Sequence, residues 1–405
     1  MRDHWTLRPD LRYLNHGSFG AVPAVTQDAQ RRLAEAAEAN PMQWFRDLPA
    51  RVGATRDIVG DYLGRCGGDI ALVANATSGI NIALRSVPAS PGQTFVLTDH
   101  GYGAVALAAR RVATERACRV VTVPLPLDAT DHQVVAAIAE HIDDNTACVV
   151  LDQITSATAK VLPAQRVADL GRSRGVPVIV DGAHAPGLID DPVIGDYWTG
   201  NLHKWPCAPR GCGVLYVDPA RRQSVPPAVV SWGDPLGFPA AFDTPGTMDA
   251  SGWLAAPTSL ELLAALGFAD RRQQLGSLLD AGADRIAAAV GGAVVDVATP
   301  APTMRLVTLP SGLVTDDLTG FVLGEYLAER SSSEIQVASW RSRGFLRLSA
   351  HLYNTIDDYT VTAARYSELF SDPELPARLR ERHAMRIHEL SQAEEAHLTT
   401  EPTPA

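Results

Sequence analysis

VPVIVDGAHAPG, residues 176–187, and TGNLHKW, residues 199–205, decide the fold. The apolar run Val176-Pro177-Val178-Ile179-Val180 has the composition of a strand buried on both faces, and it delivers Asp181 at its carboxyl end. A second short apolar run near Tyr197-Trp198 delivers His203 and Lys204. A carboxylate and an amine leaving two strand ends of one α/β sheet converge in the crevice above it. Lysine is ordinarily a solvated surface charge, yet Lys204 stands among Leu202, Trp205 and Pro206, which is not a surface composition.

On either side of these segments, apolar runs alternate with amphipathic ones. The spacing predicts strands at Ile70-Ala74, Thr94-Thr98, Arg119-Val123, Ala147-Asp152, Val176-Val180 and Gly213-Val217, with helices at 131–141 and 164–173 between them. That alternation reads as βαβ units: an α/β protein with a mainly parallel, seven-stranded-type sheet and a smaller α+β C-terminal domain. Residues 1–50 read as an N-terminal arm with a helix from Val25 to Asn40, 51–255 as the large domain, 256–370 as the small one and 371–405 as a polar helix and flexible tail. One long Ala/Leu helix is expected from Ala255 to Ala289, after the Pro/Gly-rich loop 224–247, and the last strand at Phe345-Ser349.

The chain has 405 residues, enough for two domains, and its 46% hydrophobic and 20% charged content is that of an ordinary globular enzyme. A net charge of −11 argues against nucleic acid as a partner. The absence of a long apolar stretch argues against a membrane, and the polar start MRDHWTLRPD leads us to expect a cytoplasmic protein. Five scattered cysteines without a CxxC pair read as free thiols, neither disulfides nor a metal site.

Pyridoxal phosphate needs the pair found here: an amine for a Schiff base and a carboxylate that keeps the pyridine nitrogen protonated. Lys204 is the candidate for the first task and for moving a Cα proton, Asp181 for the second, and His203 for a donor to the phosphate. Asn75-Ala76-Thr77-Ser78-Gly79 opens a helix, either as a plain Thr/Ser cap or as a phosphate cradle. In the company of Asp181 and Lys204 the cradle of Ala76, Thr77 and Ser78 is favoured. Tyr102, between Gly101 and Gly103, or else His100, can stack on the pyridine ring. Gln153, Ser156 or His184 can reach the phenolic oxygen or the substrate. Arg347 alternates with apolar neighbours and suits a substrate carboxylate, with a structural ion pair as the alternative. Asn15 and His16, with Trp44 and Phe45, are candidates for the pocket mouth, and Trp340, Arg341 and Arg343 for side-chain recognition.

These residues together resemble the class V aminotransferase family of fold-type I pyridoxal-phosphate enzymes, and within it the isopenicillin N epimerase group. The likeness rests on LNHGSFG (14–20), NATSGIN (75–81), DHGYG (99–103), VDGAHAPG (180–187), GNLHKW (200–205), GTMD (246–249) and LRLSAHLYNT (346–355). It implies Lys204 as the Schiff-base lysine, Asp181 as partner of the ring nitrogen, and Thr77 and His203 as phosphate ligands. It also implies a homodimer with shared sites, in which Gly246 and Thr247 reach the partner's phosphate, and a carboxylate site at Arg347. Gln153 stands where many relatives carry His, and residues 337–343 hold no cysteine, which speaks against a thiol-dependent desulfurase. The expected activity is an amino-acid epimerase or racemase, with a C–S lyase next and an aminotransferase after it. A non-enzymatic relative would be expected to lose Lys204 or Asp181, and both are present.

Overall fold

The computed structural model describes residues 1–399, with side chains through Gln392. The frayed tail expected at the end lies, from residue 400 onward, outside the described residues. The N-terminal arm carries a two-residue strand, β1 (Arg12–Tyr13), and then two helices, α1 (Ala24–Ala39) and α2 (Pro41–Tyr62). The second helix was not expected. It starts where a Pro at the first helical position follows Asn40, whose side chain accepts the Gln43 N–H at 3.1 Å. The expected boundary at 50/51 therefore falls inside a continuous helix, and the one at 255/256 falls inside another.

The large domain runs β2 (Ile70–Val73), α3 (Ala76–Ser86), β3 (Thr94–Thr98), α4 (Gly103–Glu115), β4 (Arg119–Val123), α5 (Asp131–Ala139), β5 (Thr146–Asp152), α6 (Ala164–Ser173), β6 (Val178–Gly182), β7 (Tyr197–Asn201) and β8 (Gly213–Val217). They form one seven-stranded sheet in the order β2-β8-β7-β6-β5-β3-β4, parallel except at β8, which runs antiparallel to both neighbours. Residues of β5, β6 and β7 are buried throughout because helices cover both faces of the sheet. The strand expected at Val176–Val180 begins two residues later, at Val178. Pro177 has no N–H to give the ladder, so Asp181 lies within the strand end and is held by it.

The small domain follows: α7 (Ser251–Ala265), α8 (Phe268–Val290), β9 (Met304–Thr308), α9 (Asp317–Ser331), β10 (Ser333–Glu334), β11 (Gln336–Trp340), β12 (Arg343–Ser349), α10 (Ile356–Phe370) and α11 (Leu375–Thr399). The single helix expected over 255–289 is instead two, bent by 69° where Gly267 takes a left-handed conformation (φ 64°). Among the described residues no single helix is long and apolar enough to cross a membrane. β11, β12 and β9 form an antiparallel sheet, and β1 pairs with β10, which stitches the N-terminal arm to the small domain.

The arm also passes behind the loop that follows β7. The Gly20 N–H donates to the His203 carbonyl at 3.0 Å, and a Cβ at Gly20 would collide with the carbonyl oxygens of His203 and Lys204. A Gly20→Ala variant should therefore lose about 1–3 kcal/mol of stability, as an overpacked contact does. Urea unfolding checks this, and an unchanged midpoint would show that the arm does not brace the lysine loop.

Candidate active site

Lys204 leaves the carboxyl end of β7 in a loop whose other side chains point into the core: Leu202 and Trp205 are fully buried. The Lys204 carbonyl accepts the Cys207 N–H at 2.9 Å, and Cys207 takes a left-handed backbone (φ 60°) unusual for a side chain of its kind. This tight turn aims the amine back over the sheet, where Nζ lies 2.9 Å from His184 Nε2. Burial, and next the nearby charge of Arg347, lower the Lys204 pKa to about 7, while Asp181 and Asp152 pull the other way.

Asp181 sits at the end of β6, its Oδ1 accepting the Ala183 N–H at 2.8 Å. Burial raises its pKa, opposed by that N–H and by the Lys204 charge. Its register partner on β5 is Asp152, so both carboxyls leave the same face of the sheet side by side. Asp152 is pushed well above the usual carboxylate range, by burial first and by the Asp181 charge second. The sequence reading assigned no role to Asp152, although the apolar runs of β5 and β6 end alike in an aspartate.

Arg347, on β12, is buried at 2% exposure, and among the described residues no carboxylate pairs with it. Nη1 donates to the Ser156 carbonyl at 2.7 Å and to its hydroxyl at 3.1 Å; Nη2 donates to Ser18 Oγ at 2.7 Å and Asn15 Oδ1 at 3.5 Å. Neutral oxygens thus hold a guanidinium whose pKa burial lowers to about 10. The structural ion pair kept as an alternative is not formed. Ser18 is a further residue that sequence reasoning missed, though it stands inside the LNHGSFG stretch.

At the start of α3, Asn75 is the cap: its Oδ1 accepts the Ser78 N–H at 2.9 Å, and Asn201 Oδ1 accepts that of Ala76 at 2.8 Å. The Thr77 hydroxyl and N–H keep no partner of this kind and remain for an anion. His203 Nδ1 is buried without a hydrogen-bond partner, and burial lowers the pKa of this ring to about 4. Tyr102 caps α4 and is 48% exposed. His100 is buried at 1%, its ring nitrogens engaged by Thr158 Oγ1 and the Leu125 carbonyl and its face covered by Trp340, so it cannot stack on a ligand.

Two expectations need correction. Gln153 does not face the crevice: side chains alternate, Asp152 takes the crevice face, and the Gln153 carboxamide accepts the Trp198 indole N–H at 2.9 Å within the core. His16 is fully buried, with Nε2 3.0 Å from the Lys204 carbonyl and Nδ1 2.7 Å from the Tyr353 hydroxyl. It braces the lysine loop from behind and reaches no pocket mouth. Ser156 is engaged by Arg347, on the substrate side. Gly246 and Thr247 lie on an exposed loop of this chain (Gly246 φ 108°) and touch none of these groups. Cys207 packs its sulfur 3.7–3.8 Å from His351 and His16, away from the crevice.

The donor set fits pyridoxal phosphate. A buried carboxyl at Asp181 suits a protonated ring nitrogen, an enclosed amine at Lys204 suits an aldehyde, and the free donors of Thr77 and His203 suit a phosphate.

The aminotransferase class-V profile matches residues 46–360. The isopenicillin N epimerase of Streptomyces clavuligerus is 29% identical over 380 residues, covering 88% of this chain and 94% of that protein. That of Amycolatopsis lactamdurans is 30% identical over 393 residues, covering 91% and 97%. A putative L-cysteine desulfhydrase of Oryza sativa subsp. japonica is 30% identical over 275 residues, covering 62% of this chain and 56% of that protein. A solved structure of a C-DES mutant, with glycine covalently linked to its PLP cofactor, superposes with a TM-score of 0.79 at 19% identity, covering 91% and 99%. That last likeness is one of fold. This chain belongs to the aminotransferase class-V family, whose members are pyridoxal-phosphate enzymes of fold-type I.

Proposed function

We propose that this protein moves the Cα proton of an amino acid from one face to the other, as an epimerase or racemase. The observation that carries the reading is the pairing of an enclosed amine, Lys204, with a buried guanidinium, Arg347, that no carboxylate among the described residues neutralises. Such a pair accepts an α-carboxylate and places a base near the atom next to it. When bound, pyridoxal phosphate draws electrons from Cα and makes its proton acidic. Asp181 would hold the ring nitrogen, and Thr77 and His203 the phosphate; the N–H of Ala76 and both donors of Ser78, counted as phosphate ligands from the sequence, are spent on Asn201 and Asn75. Arg347, with Ser156, Ser18 and Asn15 around it, fixes the carboxylate.

Lys204 takes the proton on its side of the substrate, and His184, 2.9 Å from the amine, keeps Nζ aimed. Tyr102 stacks on the ring and returns a proton on the opposite side. The near full-length match to two epimerases supports this assignment. The second reading is a C–S lyase that releases a sulfur group from Cβ. It is favoured by the desulfhydrase relative, and Tyr102 would then protonate the leaving thiolate.

We place the working form as a homodimer. Segment 229–236 bares Val229, Val230, Trp232 (97% exposed) and Leu236, an apolar surface that a second copy would cover. Gly246 and Thr247 follow on the same loop and would complete the partner's phosphate site. A reducing, cytoplasmic setting suits its unpaired thiols.

Incubating the holoprotein in D2O with a panel of amino acids and cysteine conjugates tests the reaction. Deuterium at Cα with inverted configuration and an intact side chain is expected. Release of pyruvate and ammonia would replace the first reading by the second, and turnover retained in Lys204→Ala would remove both. The amine itself has a separate signature. Between pH about 7, its folded pKa, and about 10.4, its unfolded one, the unfolded chain binds a proton that the folded one does not. Stability of the apoprotein gains a component that rises with pH in this window. The unfolding free energy of wild type in urea, taken relative to that of Lys204→Met, should therefore rise from pH 7 to 10. A constant difference would mean that the amine is not held in the lowered state.

A further inference from the structure

The tip of the β11–β12 hairpin reaches out of the small domain and grips the loop that presents Tyr102. The Trp340 indole N–H donates to the Asp99 carbonyl at 3.0 Å, and its ring stacks on His100 with centroids 4.8 Å apart. Arg341 Nε donates to Asp99 Oδ2 at 2.8 Å, and its guanidinium lies 4.5 Å from the Trp340 ring centroid. Asp99 Oδ1 meanwhile accepts the Leu125 N–H at 2.9 Å, and the Asp99 N–H donates to Val123 at 3.1 Å. Every polar group of Asp99 is thus engaged, its carbonyl and one carboxylate oxygen by the small domain.

The hairpin that supplies this grip also carries Arg347 on β12, in register with Gln336 of β11. Arg341 and Ser342 at its tip are both left-handed (φ 50° and 57°), the tight turn that twists a two-residue hairpin and points its corner residues outward. A second tie runs beside the first. The loop after β5 holds Arg347 through Ser156 and holds His100 through Thr158 Oγ1 at 2.7 Å. Arg347 and Tyr102 are therefore the two ends of one braced unit that spans the domain boundary.

We propose that Trp340 and Arg341 are positioning residues: by clamping Asp99 and His100 they set where the Tyr102 ring stands relative to Arg347. The sequence left these two side chains as candidates for substrate recognition; the Trp340 indole N–H and the Nε and Nη2 of Arg341 are turned to the protein instead. This inference rests on the proposed place of Tyr102 over the cofactor, and the experiment separates the two.

The probe is pyridoxal phosphate added to the full-length apoprotein, read as its dissociation constant and as the circular dichroism induced in its absorption band. Tyr102→Ala should weaken binding about tenfold, the size of one stacking contact on an aromatic ring, and change the induced band. Arg341→Ala and Trp340→Ala should shift both readouts in the same direction. The double variant Arg341→Ala/Tyr102→Ala should be no worse than Tyr102→Ala alone, because the clamp acts through the ring. Arg341→Lys, which keeps a charge for Asp99, should recover most of the wild-type band, and Trp340→Phe, which keeps the stack on His100, part of it. These milder variants carry the test if an alanine variant does not fold. Effects of Arg341→Ala and Tyr102→Ala that multiply in full, or a wild-type band in every hairpin variant, overturn the clamp and leave the stacking reading standing. An unchanged band in Tyr102→Ala overturns the stacking reading and the clamp with it.

Discussion

Taking the Lys204 amine out of water is the constraint on which the rest of this architecture turns. A buried ammonium is costly, and here a second cation, Arg347, makes it costlier, which is why its pKa falls to about 7. Asp181 and Asp152 pull in the opposite direction, yet each of them is itself pushed up by burial. Each of these groups disfavours charge on its own, and the opposite charges favour one another, so their protonation is a property of the cluster. A ligand with a cationic ring nitrogen, a phosphate and an α-carboxylate relieves these strains together. The crevice is costly to fold when empty and gains most when that ligand enters, which couples cofactor binding to stability.

Such a cluster needs rigid support, and the chain supplies it from behind. Gly20 lets the N-terminal arm touch the backbone of the lysine loop, His16 binds the Lys204 carbonyl, and His351 binds that of Trp205 at 3.2 Å. His16 and His351 stack with centroids 3.9 Å apart and planes 7° from parallel. Burial lowers the pKa of both rings, the His16 one to about 3, so they are neutral packing elements at physiological pH. Their ring nitrogens beside Cys207 superficially resemble a metal site, but both Nε2 atoms already face carbonyl oxygens.

The legible part of this site is the part fixed by strand ends. Asp181 and Lys204 could be read because a long apolar run can end only where the strand leaves the core, and a polar residue there faces the crevice. Six of the seven strands in the large sheet were readable to within two residues for the same reason, since apolar composition marks burial on both faces. The illegible part depends on which way a side chain turns. Gln153 is one residue past Asp152, and that single step moved its amide from crevice to core. His16 and Ser18 stand two apart in one turn, yet one lies behind the lysine loop and the other on Arg347. The break at Gly267 was hidden because Ala and Leu continue on both sides, and one left-handed glycine outweighs a helical composition.

The same distinction bears on reaction type. Inverting Cα and expelling a group from Cβ begin with the same proton loss, and Lys204, Asp181 and Arg347 serve both. The outcomes diverge with the second proton: delivered to the far face of Cα it inverts the centre, delivered to a leaving sulfur it completes an elimination. That choice is a matter of ångströms in the placement of one donor, and the residue types lining the crevice do not encode it. On the proposed reading the donor is Tyr102, exposed at the crevice and held through the hairpin tip that also carries Arg347. Reaction specificity would then reside in how the small domain seats on the large one. Two chains with the same lysine and aspartate would then differ in chemistry through that seating alone.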